Sequence, residues 1–183
     1  MISPAHFFDT AFGGSAHGVA RYGLTAAGRD MVARMERRGV ILDVAHASVR
    51  TIDDALAIST RPVVASHTGV RGIADNGRNL SDPQLAGIAA TGGLVGIGFW
   101  EFATGGTDSA SIARSIAYAV ERIGVDHVAL GSDWDGAVTV PFDAANGDRL
   151  TDALLDAGLD EAAIRGVMGE NALRVIGQAL PEA

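Results

Sequence analysis

Three histidines and one aspartate stand directly after short apolar runs, the position where a parallel α/β fold displays its reactive groups. His46 ends Ile41-Leu42-Asp43-Val44-Ala45, His67 ends Val63-Val64-Ala65-Ser66, Asp133 follows Val128-Ala129-Leu130-Gly131-Ser132, and His6 follows the stub Ile2 to Ala5. Consecutive parallel strands would bring His46 and His67 together at one mouth, in the manner of a two-histidine metal site. A lone histidine is most often a satisfied polar residue. Two at the same end of neighbouring strands, with Asp133 beside them, point to a site. Asp133 also has a plainer reading as a turn-former in Asp-Trp-Asp-Gly, a role that Asp135 suits better.

Arg78 lies in the glycine-rich segment Thr68 to Leu80, which is able to fold over a pocket. Its planar fork suits a carboxylate; the alternative is a surface arginine. His127 opens its strand, the wrong end for catalysis, and is read as structural. His17, inside Gly13-Gly14-Ser15-Ala16-His17-Gly18, lies in a flexible loop and could belong to a site or to the structure, the structural reading being the plainer. The chain has Cys 0, which removes disulfides, thiolate nucleophiles and cysteine ligands together, so a metal must sit on His, Asp or Glu.

The elements that must position these groups follow from the apolar pattern, which switches between short continuous runs and stretches of helical period. Strands are expected over Val40 to Ala45, Pro62 to Ser66, Gly93 to Phe99 and His127 to Leu130, with Ile2 to Ala5 as the tail of a fifth. Helices are expected over Thr25 to Arg38, capped by Thr25 and closed by Gly39; after Ser48, which caps a helix presenting Ile52, Ala55, Leu56 and Ile58 inward; and from Ser81 to about Ala90. Ser81 and Gln84 form a capping box there, with Pro83 in the first turn. Further helices are expected over Ser109 to Ile123, Asp148 to Ala157 and Asp160 to Ala179. Strands apolar on both faces and alternating with helices imply a parallel sheet.

A chain of 183 residues with 48 % hydrophobic residues is enough for one domain with a real core. Lys+Arg 14 against Asp+Glu 22 argues against a phosphate-neutralising surface, so no nucleic-acid partner is expected. No apolar run approaches the ~20 residues of a membrane span, and neither a signal-type amino terminus nor an anchor-type tail is present. These signs give a soluble, cytoplasmic reading.

Taken in order, Leu42-Asp43-Val44-Ala45-His46-Ala47-Ser48, Pro62-Val63-Val64-Ala65-Ser66-His67, Arg78-Asn79-Leu80-Ser81-Asp82, Gly131-Ser132-Asp133-Trp134-Asp135-Gly136 and Gly169-Glu170-Asn171-Ala172-Leu173-Arg174-Val175 resemble the membrane (renal) dipeptidases, metallopeptidase family M19. Ala5-His6-Phe7-Phe8-Asp9 resembles an earlier histidine motif of the same family. The resemblance implies a (β/α)₈ TIM-barrel metal-dependent hydrolase with two zinc ions bridged by a glutamate and a hydroxide. It implies that His46 and His67 bind one zinc, that His6 holds the scissile carbonyl, and that Arg78 holds the substrate carboxylate. Asp133 would hold the free amine and donate the proton to the leaving nitrogen. The substrate implied is a dipeptide, and a homodimer is possible for the family.

The chain departs from the family in one respect. The family's early His-x-Asp pair and bridging glutamate have no counterpart, since no His-x-Asp occurs in the sequence. Asp43 precedes His46 by three residues, which in a strand points it to the opposite face, so it is no obvious substitute. A full barrel takes ~250 residues. The expectation is a single domain over 1–183, the carboxy-terminal part of a dipeptidase barrel, incomplete with about five of the eight strands. Its function is expected to be zinc-dependent hydrolysis of dipeptides to amino acids. The competing readings are an inactive barrel fragment serving as a binding or assembly module, and another metal-dependent barrel amidohydrolase.

Overall fold

The computed structural model describes residues 1–180. Helix α1 (Ala26–Arg37) begins where Thr25 accepts a hydrogen bond from the Gly28 amide, and Gly39, with φ 65°, turns the chain out of it. Strand β1 (Leu42–Asp43) follows, then α2 (Val49–Ile58), whose cap Ser48 accepts from the Thr51 amide at 3.1 Å. Next come β2 (Val63–Thr68) and α3 (Asp82–Ala90), where the Gln84 side chain accepts from the Ser81 amide at 3.2 Å. The remainder is β3 (Leu94–Ile97), α4 (Glu101–Thr104), α5 (Ser109–Ile123), β4 (Val128–Leu130), α6 (Asp148–Asp156), α7 (Glu161–Arg165) and α8 (Asn171–Ala179).

The four strands form one parallel sheet in the order β1-β2-β3-β4, with Leu42 opposite Val63, Val64 opposite Leu94 and Val95 opposite Val128. The expected fifth strand is reduced to a single parallel bridge, Ile2 to Leu42. One face of the sheet is covered by the helices: Val63, Val95 and Val128 pack with Val32 of α1, Ile52 and Ala55 of α2, Leu85 and Ile88 of α3, and Ile112 and Ile116 of α5. Each of these valine, leucine and isoleucine side chains contributes about 1.5–3 kcal/mol by leaving water, and together with Ala55 they fix which way the strands face.

On the other face, Val64, Leu94 and Ala129 are covered by Val175 of α8, which is 1 % exposed. The asparagine of the closing motif holds that helix in place. Asn171 Nδ2 donates to the carbonyls of Val125 at 2.7 Å and Val128 at 2.9 Å, and Arg174 Nη2 donates to the Asp126 carbonyl at 2.5 Å. The motif is therefore a clasp across the amino-terminal end of β4.

Three expectations from periodicity need correction. The segment read as one helix from Asp160 to Ala179 is broken by a wider turn over Gly166–Glu170, where Gly169 leaves helical geometry. The break gives α8 a direction of its own, onto the sheet. The strand expected over Val40 to Ala45 stops at Asp43, because Asp43 Oδ1 accepts from the Ala45 amide at 2.9 Å and His46 takes a left-handed backbone with φ 62°. Strand β2 continues past Ser66 to Thr68, and between Ala65 and Thr68 its register against β3 gains one residue, a bulge spanning Ser66 and His67. Among the described residues no helix is long and apolar enough to cross a membrane.

Candidate active site

The bulge makes the first part of the site. An unbroken strand would send Ser66 and His67 to opposite faces, whereas here Ser66 Oγ lies 2.9 Å from His67 Nδ1. The same hydroxyl donates to Asp43 Oδ2 at 2.7 Å, while Asp43 Oδ1 accepts from the amides of Ala45 at 2.9 Å and Ser66 at 3.0 Å. The second part comes from β1: the left-handed backbone at His46 swings its ring to Asp43's side, and His46 Nε2 meets His67 Nε2 at 2.7 Å. Asp43 thus belongs to the same cluster, contrary to the strand alternation that placed it on the other face.

His17 enters the cluster from the loop. Ser15 forms an antiparallel bridge with Ala47, the Ala16 amide donates to the His46 carbonyl at 2.7 Å, and the Ser48 amide donates to the Gly14 carbonyl at 2.8 Å. This brings His17 Nε2 to 3.1 Å from His46 Nδ1. Asp9 holds the loop in shape by accepting from the amides of Ser15 at 2.9 Å and Ala20 at 2.8 Å. Those amide bonds hold its carboxyl below the ordinary carboxylate range. The His6 ring centre lies 4.2 Å from that of His46, and His6 itself is exposed.

Arg78 is 8 % exposed, which excludes the surface reading. Its segment is tied rather than loose: the Leu80 amide donates to the Gly69 carbonyl at 3.0 Å, and Asn79 Nδ2 donates to the carbonyls of Ala74 at 2.7 Å and Ala103 at 3.0 Å. Arg78 Nη2 donates to the His67 carbonyl at 2.5 Å, and its guanidinium sits over the Trp100 ring at 5.9 Å. Burial lowers its pKa to about 10, against the opposing pull of Asp43 and Asp133. It remains a cation at neutral pH with donors to spare.

Asp133, with φ 59°, stands at the head of the turn closed by the Gly136 amide donating to its carbonyl at 2.9 Å. It lines a cavity of about 540 Å³ together with His6, Ser66, His67 and Asp135. His127 is at the other end of β4, where Nδ1 donates to the Gly93 carbonyl at 2.9 Å.

The electrostatics keep the central histidines neutral. Burial, then Arg78 and the neighbouring histidines, push His46 down to about 2. Burial and Arg78 lower His67 against Asp133 and Asp43, and burial also lowers His17. Neutral imidazoles keep the lone pair that a metal requires. His46 Nε2 and His67 Nε2 approach one point, and among the described residues no group of three or more His, Asp or Glu side chains is arranged to hold a metal.

Periodicity gives no sign of His17, because its placement depends on a bridge between residues far apart in sequence. The Asp43–Ser66 pair was closer to reach: with Asp43 level with Val64, Ser66 stands two residues further along the neighbouring strand. Trp100, just after β3, gave no functional signal in the sequence, and it forms a wall of the site through Arg78 and His67.

A sequence profile of the family described as membrane dipeptidase (peptidase family M19) matches residues 1–182. Among curated relatives, an uncharacterized protein in the pqqA 5′ region of Klebsiella pneumoniae is 37 % identical over 164 residues, which cover 84 % of this chain and 60 % of that protein. Dipeptidase tcpJ of Claviceps purpurea (strain 20.1) is 32 % identical over 162 residues, covering 85 % of this chain and 38 % of that protein. A solved metallo peptidase from Rhodobacter sphaeroides, liganded with a phosphinate mimic of the dipeptide L-Ala-D-Ala, superposes with a TM-score of 0.84 at 30 % identity, covering 97 % of this chain and 55 % of that one. The chain therefore spans between 38 % and 60 % of the length of these proteins.

Proposed function

This chain belongs to the membrane dipeptidase family, peptidase family M19, and from that membership we propose that His46, His67, Arg78 and Asp133 serve a zinc-dependent hydrolysis of dipeptides to free amino acids. The observation that carries the reading is the approach of His46 Nε2 to His67 Nε2 at 2.7 Å, beside the buried guanidinium of Arg78. The donor set fits a borderline divalent cation: two neutral imidazoles converge on one point, and each has its Nδ1 engaged by another side chain. Two nitrogens are fewer than the three protein ligands a catalytic zinc usually takes, so these residues supply part of a site. The family resemblance assigns the remainder to a His-x-Asp pair and a bridging glutamate.

When bound, the metal supplies Lewis-acid polarisation of the amide carbonyl and a water acidified towards neutrality. The protein's own groups do the rest. Arg78 takes the carboxylate of the second residue through two parallel N–H bonds. Asp133 takes the free amine of the first, and the two contacts together restrict the substrate to two residues. His6 holds the carbonyl oxygen. As water adds its oxygen to the carbonyl carbon, Asp133 takes the proton the water loses, and as the C–N bond breaks it passes that proton to the leaving nitrogen.

A second reading, a non-catalytic barrel module, is favoured by the absence of any three-ligand metal group among the described residues. The test is hydrolysis of a simple dipeptide by the purified chain with and without zinc, beside His46→Ala and His67→Ala. Zinc-dependent turnover abolished by a chelator and in both variants supports the enzyme. A folded, zinc-binding protein without turnover on any dipeptide refutes it for this chain in favour of the module.

A further inference from the structure

The side chains around His46 form one unbroken row: His17, His46, His67, Ser66, Asp43. Its far end is fixed by chemistry. An ionised carboxylate only accepts, so Ser66 Oγ donates to Asp43 and must accept from His67 Nδ1–H. His67 Nε2 is then left with its lone pair turned towards His46.

Two proton arrangements complete the row. In the first, His46 carries its proton on Nε2 and donates to His67, and His46 Nδ1 accepts from His17 Nε2–H. In the second, His46 carries its proton on Nδ1 and donates it to His17 Nε2, and both His46 and His67 present Nε2 lone pairs to one point. Only the second can serve a cation between the two rings, and it needs an acceptor at His46 Nδ1. The side chain in place for that is His17, at 3.1 Å. A fixed carbonyl would lock His46 in the second form; an imidazole can donate or accept and permits both.

We propose that His17 is a positioning residue which, by accepting the Nδ1 proton of His46, allows His46 to offer Nε2 to a divalent cation, the two rings exchanging tautomers together as the cation binds. The proposal rests on the reading of His46 and His67 as a metal pair. It makes no demand on what the metal then does. Hydrogen bonds of the loop itself hold the His17 ring at the height this requires. The Ser15–Ala47 bridge and the Ala16-to-His46 bond fix the backbone, and the His17 amide donates to Ser15 Oγ at 3.0 Å.

The test is long-range ¹H–¹⁵N correlation on histidine-labelled protein near neutral pH, with and without Zn²⁺, together with zinc titration of His17→Ala and His17→Gln. His46 and His17 are expected as Nε2–H tautomers without zinc and Nδ1–H with it, while His127 is unchanged. Zinc affinity falls roughly 10–100-fold in His17→Ala and recovers largely in His17→Gln, whose amide can donate or accept. Circular dichroism establishes that both variants fold. A His46 tautomer indifferent to zinc, or an unchanged affinity in His17→Ala, overturns the proposal. A tautomer exchange without dipeptide turnover retains it and refutes the dipeptidase reading; turnover without the exchange does the reverse. Absence of zinc binding overturns both.

Discussion

Replacing Asp43 by asparagine isolates one hydrogen bond of the site with little change of shape. Both backbone amides that Asp43 receives, from Ala45 at 2.9 Å and Ser66 at 3.0 Å, go to Oδ1, and the Ser66 hydroxyl goes to Oδ2. Asparagine keeps an oxygen for the first pair and turns an N–H₂ to the second. The two amide bonds lose their charge assistance, about 1 kcal/mol each, so the variant should be about 2 kcal/mol less stable, a shift of about 1 M in the urea midpoint. The Ser66 hydroxyl now accepts from the amide and donates to His67 Nδ1. His67 is forced to carry its proton on Nε2, the atom assigned to the metal, and zinc affinity should fall about 10–100-fold. Ser66→Ala separates the two effects: it removes the hydroxyl but leaves the carboxylate on the backbone, so it should cost less stability. The assays are urea unfolding and zinc titration. An Asp43→Asn protein with unaltered zinc affinity and His67 still protonated at Nδ1 would refute the assigned directions of the Asp43–Ser66–His67 hydrogen bonds.

Arg78→Lys keeps the charge and loses the fork, so KM for a dipeptide should rise tenfold or more with a smaller effect on kcat, read from steady-state kinetics. Asn171→Ala strands the carbonyls of Val125 and Val128, and at about 1 kcal/mol for each lost bond thermal unfolding should report a loss of about 2 kcal/mol. Asp9 has its folded pKa depressed by the Ser15 and Ala20 amides, so its contribution is present above the unfolded value and disappears as pH falls through the lower, folded one. The Ser15 and Ala20 amide resonances should titrate together with a midpoint below the ordinary aspartate value. A midpoint at or above that value would refute the anchoring role.

Much of the scaffold was legible because local rules and tertiary demands agree. The caps at Thr25, Ser48 and Ser81 start helices where their side chains can reach the first free amides, and α5 runs over the predicted Ser109–Ile123. Where the reading failed, a local rule was overruled by something distant. The Asp160 to Ala179 pattern is helical throughout, yet Asn171 reaches the carbonyls of Val125 and Val128 at the start of β4 and the chain bends to let it. Strand alternation placed Asp43 away from His46, and a left-handed residue reversed that. The strand ends pointed to His46 and His67, whose Nε2 atoms lie 2.7 Å apart, and to Asp133, which lines a cavity with His67. The side chains that lie against the histidine rings and their partners were silent, because a serine, an aspartate and a loop histidine carry no periodic signal.

The extra residue in β2 has a consequence for how this site can change over time. A regular pleat reads its side chains in alternating frames, one for the core and one for the mouth, and the bulge is a frameshift that lets two successive residues be read in the same frame. Point substitutions at Ser66 or His67 alter one word each. A one-residue deletion between Ala65 and Thr68 would restore the frame and leave the mouth one side chain where it now has two, so the pairing of serine with histidine depends on a residue count as much as on any side chain.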